Sequence, residues 1–219
     1  VAGSGMKNIR GAFPIIILLG IFMMFGCSEP KDMNRIENIL LRDGDTTATL
    51  ALPAAYGAKA FSSSGAKFLC QYPSMQPVVN EMDVSSMTVA VLLGHFRKNL
   101  YELMMDEAQS DHFDPKRLGA AYRAGTKGEY KVFLRGNPVS DPNFDTYYLF
   151  KARDGQWVQA DRSDWGAIYT IERQMNPDVS IKYWFMKSQG TDFVHIDEVV
   201  TEFIKTHLKT QYVNRQGKQ

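Results

Sequence analysis

From Glu129 onward the chain sets out strand-length segments in succession: Tyr130 to Leu134, Thr146 to Ala152, Trp157 to Ala160, Ala167 to Gln174 and Val179 to Lys187. This succession constrains the fold more than any other feature. Parallel neighbours need a crossover of a dozen or more residues, so strands joined by short turns return antiparallel. Arg153-Asp154-Gly155-Gln156 predicts one such hairpin, because an Asp-Gly pair tolerates the positive φ of a tight turn. In Val179 to Phe185 the odd positions are all apolar, as expected of a strand with one buried face. Behind this meander, Ile196, Val199, Val200, Phe203, Ile204 and Leu208 trace the stripe of an amphipathic helix that covers one face of the sheet.

The first half is less regular. Ile36, Ile39 and Leu40 recur at helical spacing ahead of a turn at Arg42-Asp43-Gly44-Asp45. Thr47 to Leu52 and Ala66 to Tyr72 alternate as strands closed by Pro53 and Pro73, and are expected to pair with each other. Met87 to Leu93 is continuously apolar with β-branched members, which predicts a central strand. Phe96, Leu100, Leu103 and Met104 share a helical face, with Asp106, Glu107, Asp111 and Asp114 gathered beyond it. The expected class is α+β, a largely antiparallel sheet with a C-terminal meander and helices packed on one side.

The first 26 residues read as an export segment. Lys7 and Arg10 precede an apolar stretch from Ala12 to Phe25 that is shorter than the ~20 residues a membrane span needs. Val1 to Gly5 precede Met6 and are set apart as a stretch that need not be native. Met24-Phe25-Gly26-Cys27 resembles the lipobox of bacterial lipoproteins, in which the cysteine is acylated and becomes the mature N-terminus. That resemblance implies a lipid anchor on Cys27, a tether over residues 27–34 and one globular domain over 35–219. Ser28 behind the cysteine implies a periplasm-facing position on the outer membrane. The mature part holds 23 Lys and Arg against 24 Asp and Glu, a balance of −1, which lacks the basic footprint of nucleic-acid binding. With Cys27 acylated, Cys70 is left without an intramolecular disulfide partner. It alternates with Phe68 and Tyr72, which predicts a buried, unreactive thiol.

No catalytic constellation stands out, so no enzyme, cofactor or metal is expected. The chain lacks a Gly-x-Ser-x-Gly elbow, a Gly-rich phosphate loop and a His-Glu-x-x-His pair. His95, His112, His195 and His207 are spread too widely for short ligand spacing, and Asp43 and Asp45 flank a glycine without the later ligands of a calcium loop. Aromatics are concentrated in the second half: Tyr147, Tyr148, Phe150, Trp157, Trp165, Tyr169, Tyr183, Trp184 and Phe185. Alternation cannot bury all of them on one sheet face, so some are expected at the surface, where aromatic anchors serve protein interfaces. The acidic group Asp106, Glu107, Asp111 and Asp114, and the loop Gly136 to Asp145 with Asn143 and Phe144, are the candidate partner-binding segments.

Cys27, the strand closing as Leu50-Ala51-Leu52-Pro53-Ala54-Ala55-Tyr56, and Phe68-Leu69-Cys70-Gln71-Tyr72-Pro73-Ser74-Met75 together resemble a known group. It comprises the lipoprotein immunity proteins that protect bacteria from phospholipase effectors delivered by type VI secretion. The chain departs from that group in lacking a C-terminal cysteine pair and in carrying His195 where a tryptophan is usual. The resemblance implies a membrane-anchored binding protein whose partner is a secreted phospholipase. The alternative from the sequence is a structural or assembly accessory lipoprotein of the bacterial envelope.

Overall fold

The computed structural model describes residues 32–79, 85–108, 121–136, 145–162 and 167–212, and those from Met33 onward belong to one compact unit. The meander is as expected. Strands β8 (Tyr130–Arg135), β9 (Asp145–Lys151), β10 (Trp157–Arg162), β11 (Ile168–Asn176) and β12 (Val179–Met186) lie side by side in sequence order, each antiparallel to the next. At the β9–β10 hairpin Gly155 takes φ 81°, and its amide donates to the Ala152 carbonyl.

This meander extends in both directions. On one side β12 pairs with β6 (Ser86–Leu93), then β4 (Gly65–Gln71) and β3 (Lys59–Ser62), with the short β5 (Gln76–Pro77) also on β4. On the other, β8 pairs with β7 (Ala121–Lys127). A second, three-stranded sheet is ordered β1 (Ile36–Asp43), β2 (Thr46–Pro53), β13 (Leu208–Tyr212). Two α-helices complete the described residues: α1 (Leu100–Glu107) and α2 (Phe193–His207).

Strand alternation sorts the large sheet's side chains between two cores. Tyr148, Phe150, Val158, Ile171, Ile181, Tyr183 and Phe185 point to the face shared with Leu41, Leu50 and Leu52 of the small sheet and with Phe193, Ile196, Val200 and Ile204 of α2. Their neighbours Tyr147, Leu149, Trp157 and Phe133 point the other way and meet Met104 of α1. Asp192 caps α2 by accepting from the His195 amide at 3.1 Å. Asn99 and Glu102 form a reciprocal capping box at the start of α1, both hydrogen bonds 2.9 Å long.

Four expectations are corrected by this arrangement. The fold is predominantly β rather than α+β, with thirteen strands against two α-helices among the described residues. Ile36 to Leu40 is a strand, not a helix: Leu41 and half-buried Ile39 turn inward while Ile36 and Leu40 face solvent. The helices are not on one side, since the large sheet carries apolar residues on both faces and each face takes its own helix. Finally, the strands containing Thr47–Leu52 and Ala66–Gln71 do not pair with each other; they belong to different sheets.

Candidate functional site

On the α1 face of the large sheet, Tyr101 of α1 stacks on Trp157 of β10, centroids 4.5 Å apart and planes 16° from parallel. Both rings are half-buried. Two ammonium groups sit over this platform: Lys131 Nζ lies 5.2 Å from the Tyr101 centroid and 5.9 Å from that of Trp157, and Lys151 Nζ lies 5.4 Å from Trp157. On the solvent side of the same helix Leu103 is 44% exposed, an unusual place for a large apolar side chain. Aromatic rings held rigid by stacking and by cations over their faces present apolar area at little cost in side-chain entropy.

The sequence-predicted acids begin at the end of this helix. Asp106 accepts from Lys98 Nζ at 2.5 Å, and Glu107 pairs with Arg135 at the end of β8. Arg135 is the strand partner of Asp145, the first residue of β9. The structure therefore brings the acidic end of α1 to the base of the predicted loop Gly136 to Asp145. Below that base the Arg135 guanidinium lies 5.3 Å from the Tyr147 ring centroid, and burial pushes the Tyr147 hydroxyl up to about 12. Cys27, Asp111, Asp114, Asn143 and Phe144 lie outside the described residues. Of the clustered aromatics, some of which were expected at the surface, Tyr148, Trp157, Tyr169 and Trp184 are half-buried and Tyr147, Phe150, Tyr183 and Phe185 are buried; Trp165 is not among the described residues.

A second polar centre went unseen in the sequence. Arg173 of β11, 1% exposed, donates from Nη1 to Asp197 of α2 at 2.5 Å and to Thr201 at 3.0 Å, and from Nη2 to Asp154 of the β9–β10 hairpin at 2.5 Å. The Tyr183 hydroxyl donates to the other Asp197 oxygen at 3.0 Å. Burial holds the Asp197 carboxyl above its ordinary range despite Arg173 and Tyr183, which pull it down. Burial, with Asp197 beside it, likewise pushes Tyr183 well up. A cavity of about 420 Å³ opens beside this centre, lined by paired groups that include Arg153 with Glu198 and Lys205 with Glu202. Each charged group of the wall has a partner within it, Arg173 serving both Asp154 and Asp197, and these pairs tie α2 to the sheet.

One signal in the sequence could have found this centre. Arg173 continues the inward alternation of Tyr169 and Ile171, and Asp197 lies three residues before Val200 on the buried stripe of α2. A charge on the apolar face of two elements that pack together requires a partner.

No family model matches the chain, and no curated protein matches it. Among solved structures, an immunity protein of the Stenotrophomonas maltophilia type IV secretion system is similar at 11% identity and a TM-score of 0.48. The match covers 78% of this chain and 93% of that one.

Among the described residues no group of three or more His, Cys, Asp and Glu is placed to hold a metal ion. No helix among them is long and apolar enough to cross a membrane. Cys70 is fully buried, and burial pushes its thiol up to about 12, as its place in the alternating strand predicts.

Proposed function

We propose that this chain is a lipid-anchored, periplasm-facing immunity protein that binds a secreted phospholipase effector through the α1 face and neutralises it without catalysis. The observation that carries the reading is the half-buried Tyr101–Trp157 stack under Lys131 and Lys151, where the helix of Tyr101 also exposes Leu103 on its solvent side and carries Asp106 and Glu107 at its end. Interfaces concentrate their energy in such anchors and place charge at the rim. The motifs at Leu50–Tyr56 and Phe68–Met75 support the immunity class, and the cysteine at position 27 supports the anchor. The type VI route and the phospholipase identity of the partner come from that resemblance.

The two kinds of residue have separate kinetic roles in this proposal. Rim charge steers encounter, so Asp106→Asn with Glu107→Gln changes the association rate and its salt dependence. The anchor governs residence, so Trp157→Ala raises the dissociation rate at least tenfold, the equivalent of about 1.4 kcal/mol. The test is co-purification of residues 28–219 with the toxin encoded by the neighbouring gene, if that gene encodes a lipase, together with surface plasmon resonance on the variants and survival of cells expressing the toxin. No binding and no protection would sink the immunity reading and return the envelope-accessory alternative.

A further inference from the structure

The small sheet has an outer face that none of the described residues covers. Its register puts Ile36, Asn38, Leu40 and Arg42 of β1 beside Pro53, Ala51, Thr49 and Thr47 of β2, with Lys209 and Gln211 of β13 across from Thr49 and Thr47, all on the side away from the core. Ile36 is 53% exposed and Leu40 50%, and Met33, just before the strand, is 51% exposed. Two exposed large apolar residues on the outward face of an edge strand, Ile36 and Leu40 with Asn38 between them, are unusual, since edges are ordinarily blunted by charge. The outward positions of the three strands include two cations, Arg42 and Lys209, and no carboxylate. Chain connectivity adds a second constraint. Met33 is six residues from Cys27, a stretch that spans at most ~20 Å when fully extended.

We propose that the outer face of the small sheet rests on an anionic phospholipid bilayer, with Met33, Ile36 and Leu40 entering the headgroup region and Arg42 and Lys209 meeting lipid phosphates. The proposal builds on the anchor in the functional reading, because acylation at Cys27 holds the face within reach of the membrane. The contact itself is independent chemistry. Apolar side chains gain by entering the interface, and each cation near an anionic surface adds to the attraction within a Debye length. The two proposed surfaces are also compatible, since the small sheet and α1 lie on opposite faces of the large sheet and a membrane-seated molecule keeps α1 turned outward.

The experiment uses residues 28–219 made without acylation, and co-sedimentation with vesicles of phosphatidylglycerol and phosphatidylcholine. The expected result is binding that weakens with salt and on pure phosphatidylcholine, and that falls roughly tenfold in Ile36→Ser/Leu40→Ser. An unchanged urea midpoint establishes that this variant folds. An environment-sensitive probe on Leu40→Cys should shift to the blue on vesicles, whereas one on Lys127→Cys, at the far edge of the large sheet, should not. Equal sedimentation of the double variant, or equal response of the two probes, overturns the proposal. So does a result in which the substitutions dissolve a dimer, or abolish effector capture, and leave vesicle binding unchanged. Acyl labelling of Cys27 in the full chain is read separately; its absence removes the anchor and leaves the vesicle result standing by itself.

Discussion

Arg173→Met is the most informative single perturbation of this fold. It keeps much of the side chain's volume and removes the cation that serves Asp197, Thr201 and Asp154 together. Asp197 is fully buried, so its carboxylate is left with the Tyr183 hydroxyl as its remaining donor among the contacts described above. Removing one partner of a buried ion pair costs about 3–5 kcal/mol, because the other charge stays desolvated and uncompensated. Asp154 adds little, since a third of its side chain reaches solvent. For a domain of this size the loss corresponds to a fall in Tm of roughly 6–20 °C. Urea denaturation followed by tryptophan fluorescence measures it directly. Pairing Arg173→Met with Asp197→Leu should recover most of the loss, because the uncompensated charge is then gone. The pH dependence has a definite sign. Asp197 already titrates above its ordinary value in the folded state, and losing Arg173 moves it higher. The folded variant therefore takes up a proton that the unfolded chain does not, and its deficit narrows as pH falls from 7 toward that raised value. A single-variant loss below about 1 kcal/mol, or a deficit that widens on acidification, refutes the assignment of Arg173 as the tie between α2 and the sheet.

Other outcomes follow from individual contacts. Cys70 should resist thiol reagents in the native protein at pH 8 and react at once in denaturant, since its thiol is buried and pushed up to about 12. Gly155→Ala should cost about 1–2 kcal/mol by thermal denaturation, because the hairpin needs φ 81° and an added Cβ disfavours it. In Asp154, burial raises the carboxyl's pKa, but the Gln156 amide and Arg173 outweigh it and hold it below 3.8. Stability from this group is therefore present above pH 3.8 and lost as pH falls through the lower folded value. Asp154→Asn should accordingly weaken the protein at neutral pH and converge with the parent in acid.

The parts of the fold legible in the sequence are those where one periodicity acts without competition. Val179 to Phe185 alternates cleanly and forms β12; the stripe from Ile196 to Ile204 winds as α2. Legibility failed where local pattern and pairing disagreed. Ile36, Ile39 and Leu40 fit a helical period, but β2 offers a hydrogen-bonded ladder along the whole segment, and the ladder prevails. Ala121 to Lys127 has little apolar alternation and becomes β7 through its pairing with β8, with a bulge between Arg123 and Gly125. Leu208 satisfies the helical stripe yet begins β13, with neither glycine nor proline to mark the change. At the site, the helix bearing Asp106 and Glu107 was visible, but the stack of Tyr101 on Trp157 joins residues far apart in the chain. Local spacing carries no information about that contact.

The order of the small sheet also determines when the molecule can finish folding. Its middle strand, β2, receives β1 at once through a tight turn, but its other edge waits for β13, where Leu50 meets Leu208 across 158 positions of chain. Contacts of such separation must bear the entropy of closing a very long loop before they return any stabilisation. A chain emerging from a ribosome or a translocation channel therefore holds β2 with one row of backbone donors and acceptors unpaired until β13 is free. During that interval the strand is open to pairing with another chain. Loss of Leu208 to Tyr212 by proteolysis or truncation should leave that edge permanently open and make the protein aggregation-prone.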